Sequence, residues 1–443
     1  MAAPLPPKPS GHPILKHALL FVRNPFQFVE VATAECGDVY RMDLPTLDDI
    51  HVLTHPEQLK RVLVTDVDSF GKTEDFQRAF GSGLLSTEGA QWRRQREVMQ
   101  PLFFRGQIRG YTDEMVKCAE RRLATWGDNE LLDVEREMRN LTLDVLFATL
   151  FGRELTPGED EGLREAADGL NGWFEPTSWV LPPWVPTPAR RDFKQSRKRL
   201  KEEVRKLLAE NSSRHTPSGG PPDLLSQLQM ARDTEKGPQL STEEIEDQLV
   251  TMVFAGHETT AAALGFIWYL LATHPPIRER FHDELSTVLD GDRPAAETLP
   301  KLEFTDRIVT EALRLYPPIH TIPRRTDTEV EIDGFRIPAG EQIHLSVIDA
   351  HRDKRFYDDP YEFQPDRWTD GSEEELHDFA YIPFGGGRRT CIGREFARLE
   401  AKIILATVGQ RFQFEWDSSN SLEIEPQMTM RTSNGIPMTI TQR

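Results

Sequence analysis

Apolar residues recur every three to four positions over most of this chain and alternate with polar ones over only a few short stretches. The first pattern is that of helices with one buried face. It predicts helices over 24–35, 89–103, 107–126, 134–151, 189–212, 242–273, 276–289 and 304–316. The pair Pro317–Pro318 closes the last of these, because proline lacks the N–H that a helix needs. The second pattern predicts strands over 39–44 and 50–53, and a strand-rich patch over 319–347, where EVEIDGFRIPAGEQIHLSV alternates around DG and AG turns. Further strands are expected after Phe412. Two segments break the pattern. TPSGGPP at 216–222 reads as a surface connection, and PPWVPTP at 182–188, with Trp179 and Trp184 near it, reads as a loop suited to gating a cavity. The chain is therefore mainly α with a minor mixed β portion, and it shows no internal repeat.

Charge changes the picture of the surface. The 72 acidic and 53 basic residues give a formal net charge of −19, and only 13 of the basic residues are lysines. Such an excess of acid repels itself in dilute buffer, and is screened at about 1 M salt, where the Debye length is about 3 Å. The balance resembles that of proteins from halophilic archaea; an ordinary acidic enzyme encoded in GC-rich DNA is the alternative. In either case nucleic acid is not an expected partner. The sequence contains no continuous apolar run of about 18 residues, and its first ten residues, MAAPLPPKPS, are too polar for a signal or anchor. A cytoplasmic protein without a transmembrane anchor is expected. Cys36, Cys118 and Cys391 are far apart and odd in number, which suits a reducing compartment without disulfides.

The chemistry concentrates in Phe384–Gly393, FGGGRRTCIG, directly ahead of the helix-like run GREFARLEAKIILATV. A thiolate ligand needs shelter from water and N–H groups to moderate its charge, and a glycine turn feeding a helix N-terminus supplies both. Gly385, Gly386 and Gly387 let the backbone approach the sulfur, and Arg389 is placed to meet a carboxylate of a bound cofactor. Zinc and iron–sulfur clusters recruit several Cys or His ligands, and Cys36 and Cys118 stand alone, so a single sulfur points to haem.

The string fits FGxGxRxCxG at every fixed position and so resembles the haem-thiolate monooxygenases, the cytochrome P450 family. The resemblance runs from about residue 25 to the C-terminus. It implies a 1–24 proline-containing lead-in and a single triangular, helix-rich haem domain over 25–443. It also implies haem b with Cys391 as the axial ligand. FAGHETT at 254–260 resembles the family's AGxET segment, in which Ala255 and Gly256 leave room beside the haem for dioxygen. Splitting the O–O bond needs two protons, and Thr259 with Glu258 is the implied relay. A threonine bonded back to the carbonyl four residues earlier, distorting its helix, is the competing reading. Glu311 and Arg314 of EALR lie 80 residues before Cys391, and with Arg367 of PDRW they are the implied lock on the cysteine loop. Trp92, Arg96 and Arg324, with Arg389 and Phe384, are the implied cofactor contacts. His257 and His351 read as ordinary hydrogen-bonding residues.

The implied activity is insertion of one oxygen atom into an unactivated C–H bond. No dinucleotide fingerprint is present, so the implied electrons come from NAD(P)H through a separate ferredoxin reductase and ferredoxin. The pocket positions implied by the family are Phe76, Phe80, Leu84 and Leu85, then Trp173, Phe174, Trp179 and Leu181, then Phe254, Ile319, Ile322 and Met428. They are apolar, and a hydrophobic substrate of the fatty acid or carotenoid/isoprenoid class is expected. The run from Phe76 to Phe103 is also similar to bacterial members that hydroxylate carotenoids and long-chain lipids. A peroxide-driven peroxygenase is a rival reading, against which the Glu258–Thr259 pair argues. A non-enzymatic haem carrier or sensor is the other.

Overall fold

A computed structural model describes residues 3–443 apart from 13–14, 45–48, 157, 159, 175–180, 182–183, 214–223, 234–238 and 370–375. The expected connection at 216–222, Trp179 and part of the 182–188 loop therefore lie outside the described residues, as does the side chain of Phe174.

The long apolar stretch 242–273 runs through the core. Ser241 caps it, accepting from the Glu244 N–H while the Glu244 carboxylate accepts from Ser241 N–H. By length and composition Thr242–Thr273 could cross a membrane, but 83% of its apolar window is buried inside the protein, so here it is a core helix. Val134–Leu150, Glu303–Leu315 and Arg394–Gly409 surround it, each presenting an apolar stripe to one continuous core. Two predicted helices are interrupted. Pro101 turns the end of 89–103 into a tight turn after Met99, and 107–126 divides into Arg105–Arg109 and Thr112–Leu123 around Gly110.

The strands form a side layer. Val39–Met42, Ile50–Leu53, Gln342–Ser346, Thr321–Thr326 and Phe70–Gly71 lie in that order in one sheet, antiparallel except where Ile50–Leu53 runs parallel to Gln342–Ser346. The DG turn joins Val330–Ile332 to Phe335–Ile337 as expected. Glu130–Asp133 escaped sequence reading because four residues show no usable period. It pairs with the C-terminal strand Pro437–Gln442, which also pairs with Phe412–Trp416. The lead-in is docked on the body: Arg41 N–H donates to Pro7 O at 2.8 Å and Arg336 N–H to Pro4 O at 2.8 Å. This architecture sets the Cys391 loop on one side of a cavity and helix 242–273 on the other.

Candidate functional site

The loop before Arg394–Gly409 is folded by its glycines and by one backbone bond. Gly387 has φ +64°, and a Cβ there would lie 2.2 Å from Leu63 O, so no other residue fits. The Cys391 N–H donates to Phe384 O at 2.9 Å and closes the loop. Cys391 is accessible from the cavity it lines and enclosed by protein on its other sides. Burial pushes its thiol up, against the Gly393 N–H and the charges of Arg96 and Arg394, which favour the thiolate. A metal cation at the sulfur would tip that balance fully to the thiolate.

Opposite the sulfur, helix 242–273 widens by one residue per turn over Phe254–Glu258, and Ala255, Gly256, Thr259 and Thr260 face the cavity. The Thr259 hydroxyl donates to Ala255 O at 2.7 Å, so the back-bonded reading describes its geometry. Its oxygen keeps acceptor capacity towards the cavity. Gly256 is small for a reason the sequence did not show: a Cβ would meet Leu146 Cδ1 at 2.9 Å, so it also admits the neighbouring helix.

Glu258 sits differently from expectation. It does not line the cavity, and it is buried in an ion pair with Arg431, whose Nη2 donates to Oε2 at 2.6 Å. Burial alone would raise its pKa, but the charge and hydrogen bonds of Arg431 outweigh it and hold the carboxyl below its ordinary range. Arg431 also lies 3.9 Å from Asp168, which is 39% exposed and forms the solvent end of this cluster. Asp168, His257 and Glu258 are close enough together for a metal site, yet Arg431 already supplies the positive charge there. His257 is buried and kept neutral chiefly by burial.

Three sequence-predicted cations, Arg96, Arg324 and Arg389, line the cavity with Trp92. Arg96 donates to Thr390 O at 3.0 Å and Arg389 to Thr87 O at 2.8 Å, and the Arg389 guanidinium stacks 4.4 Å from the Trp92 ring centroid. Sequence reasoning missed the fourth member, Lys72. Burial and the charges of Arg324 and Arg389 lower its pKa well below the usual lysine range, and burial likewise brings Arg324 and Arg389 down to about 10. Glu88 is the carboxylate that opposes these shifts. Four crowded cations beside one thiol, facing an apolar hollow, fit a flat cofactor that carries a metal at its centre and two carboxylates at its edge. Haem meets that description.

Glu311, Arg314 and Arg367 meet in one buried cluster that has more members than these three. Glu311 and Arg314 are fully buried and joined by two 2.8 Å bonds. Arg367 Nε reaches Glu311 at 3.4 Å, and Trp368 Nε1 (2.8 Å) and Gln364 N–H (3.1 Å) also donate to it. Arg314 in turn donates to His351 O, Pro360 O and Glu362 O. His351 accepts from Ile382 N–H at 2.8 Å, and so ties this knot to the segment that leads into Phe384.

Another missed group is Glu400, 1% exposed on the helix after Cys391. Neither of its carboxylate oxygens has a hydrogen-bond partner, although Thr260 lies near enough to temper its pKa, which burial raises well above the ordinary value. Burial favours its neutral form, and nothing in the sequence around it marks it. Among the expected wall residues, Phe76, Leu84, Leu85, Phe254, Ile319, Ile322 and Met428 line the cavity. Phe80 is one layer back, packed on Phe254 at 4.9 Å. Trp173 does not line the cavity; it packs against Phe193 of the helix over 188–213 at 5.2 Å, and Leu181 is exposed.

Helix-rich architecture, a cysteine in a glycine-formed loop, and a cation-rimmed apolar cavity together define a haem-thiolate enzyme. The family model for cytochrome P450 matches residues 6–439, and the chain belongs to that family. It is 36% identical to pentalenene oxygenase from Streptomyces avermitilis, over 90% of this chain and 89% of that one. It is 32% identical to cyclooctatin synthase from Streptomyces melanosporofaciens, over 95% and 92%. The crystal structure of cytochrome P450DA heme domain superposes with a TM-score of 0.87 at 27% identity, covering 100% of this chain and 99% of that one. The chain is accordingly a cytochrome P450 monooxygenase.

Proposed function

We propose that this protein is a haem b monooxygenase that hydroxylates an isoprenoid hydrocarbon, with electrons from NAD(P)H delivered by a separate ferredoxin reductase and ferredoxin. The observation that carries the substrate class is the cavity wall: above Cys391 it is hydrocarbon from Phe76, Leu84, Leu85, Phe254 and Met428, and its cations gather at the rim assigned to the cofactor. The names of the relatives, pentalenene oxygenase and cyclooctatin synthase, support a terpenoid over a fatty acid, which would need a cation in the substrate region.

Haem, once bound, supplies the activation of dioxygen and the oxidation of the C–H bond. The residues do the rest. Cys391 would hold the iron through its sulfur, with Gly393 N–H moderating the thiolate charge. Lys72, Arg96, Arg324 and Arg389 would hold the carboxylates of the bound haem, and Trp92 and Phe384 would pack beside it. Ala255 and Gly256 leave space for dioxygen, and Thr259 holds water and passes protons at its hydroxyl. Glu258 is the implied second member of the relay, with Asp168 at the solvent end and Arg431 between them. Glu311, Arg314 and Arg367 hold the loop without touching the reaction. Residues 25–443 form the haem domain behind the docked lead-in. The net charge of −19 and the scarcity of lysine support a cytoplasm rich in salt.

Thr259→Ala tests the proton role and the need for external electrons together. It is expected to leave substrate binding intact, keep NAD(P)H consumption running, and lower product formed per NAD(P)H by about tenfold or more as reduced oxygen escapes. Unchanged product yield, or full wild-type activity on peroxide with none on the electron-transfer chain, contradicts the reading.

A further inference from the structure

The helix over 188–213 is out of character with the rest of this chain. From Arg190 to Lys206 it carries nine basic and three acidic residues, in a protein of net charge −19. Five of those cations, Lys194, Arg197, Lys198, Lys201 and Arg205, line an outer groove of ≈ 530 Å³ together with Arg78; Glu202 is the carboxylate among the lining residues. Trp173 and Phe193 form its apolar floor.

The groove is charged in excess of its partners. Glu246 is taken by Arg205 through bonds of 2.7 and 2.9 Å, and Asp247 is shared by Arg197 at 3.3 Å and Lys201 at 2.6 Å. Arg78 is paired with Glu74 at 2.7 Å and lies 3.6 Å from Asp75. Among the described residues Lys194 makes no ion pair, and Lys198 reaches only Glu202, at 4.0 Å. Like charges held this close repel unless an anion joins them. A singly charged ion satisfies one ammonium. An ion with several negatively charged oxygens can bridge Lys194, Lys198 and the guanidinium of Arg197 at once.

Behind the groove lies the cavity. The second carboxylate oxygen of Asp247 accepts from Ser82 N–H at 2.9 Å, and its backbone oxygen accepts from Thr251 Oγ1 at 2.6 Å. Leu84, Leu85 and Thr251 are cavity wall. An anion that draws Arg197 or Lys201 outward weakens their ion pairs with Asp247, whose other oxygen holds that wall.

We propose that this groove is a second ligand site, for a diphosphate or comparably charged phosphate group, and that its occupancy is felt at the cavity wall through Asp247. Isothermal titration of the haem-loaded protein with inorganic pyrophosphate, at an ionic strength fixed with sodium chloride, is expected to show one saturable site per chain. K194Q/K198Q alters two exposed side chains away from the cavity and is expected to weaken that binding about tenfold or more. Saturating pyrophosphate should also shift the affinity of an apolar azole, read by spectral titration, in the wild type and not in the double variant.

Sedimentation with phosphatidylglycerol vesicles, against phosphatidylcholine vesicles, identifies the source. Capture of the wild type and not of K194Q/K198Q assigns the phosphate to a lipid headgroup; pyrophosphate binding without capture assigns it to a soluble ligand. Binding that fails to saturate, or that K194Q/K198Q retains in full, overturns the site. An unshifted azole titration overturns the link to the cavity. The calorimetric result does not depend on the substrate class, so its failure leaves the monooxygenase reading untouched.

Discussion

Glu311→Gln is expected to destabilise the fold by about 3–5 kcal/mol and to yield protein that does not retain haem. The reason lies in how much converges on this carboxylate. It accepts two bonds from Arg314, one from Trp368, one from the Gln364 backbone and a longer one from Arg367, all where water does not reach. Glutamine keeps the shape but presents a donor where an acceptor is needed, and it leaves the Arg314 charge fully buried without a counter-ion. Arg314 then loosens from His351 O, Pro360 O and Glu362 O, and the approach to the Cys391 loop loses its anchor. Urea unfolding at neutral pH and haem content after gel filtration check this. A variant that keeps both its midpoint and its haem would show that the knot is not what holds the loop.

Acid is expected to undo the same knot through His351. Its ring is fully buried, with Nε2 accepting from Ile382 N–H and Nδ1 placed 3.3 Å from Arg314 O, so only the neutral ring fits. Burial, with the charge of Arg314 adding to it, brings its pKa down to about 3 from the ordinary 6.5. A depressed histidine binds its proton in the unfolded chain first. Its contribution is therefore complete above the ordinary value and is lost as pH falls from 6.5 towards 3, at about 1.4 kcal/mol per pH unit. His51, His282, His320 and His344, each brought down to about 4 by burial, act in the same direction. Asp349, raised to about 6 by burial, opposes them over part of the range. Unfolding free energies between pH 7 and pH 4.5 should fall steeply for the wild type, and His351→Gln should flatten the slope by about 1.4 kcal/mol per pH unit. Identical slopes would mean that the ring is not held neutral.

What could be read from the sequence divides along physical lines. The cysteine loop was legible because its requirements are local: three glycines, a cysteine and a helix start lie within a dozen residues. The central helix was legible from its period, and its widened turn was anticipated from the Thr259 hydroxyl four residues after Ala255. Glu311 and Arg314 are near neighbours, yet only resemblance singled them out. The donations of Gln364 and Trp368, 53 and 57 residues away, carry no sequence signal. Lys72 gains meaning only where it converges with Arg96, Arg324 and Arg389 from three other segments. Arg431 is 173 residues from the carboxylate it holds, and Glu400 looks like any polar residue on an amphipathic helix. Trp173 was placed in the cavity by analogy of position. Its aromatic partner away from the cavity, Phe193, belongs to a helix whose docking no local pattern reveals.

The measurement that bears most directly on the central claim is the difference spectrum of the dithionite-reduced protein, purified in molar salt, before and after carbon monoxide is added. Thiolate ligation by Cys391 predicts the red-shifted Soret band for which the family is named, at one haem per chain, in the wild type and not in Cys391→Ser. A band typical of a neutral axial ligand in freshly purified neutral protein, or the absence of haem altogether, would contradict the account.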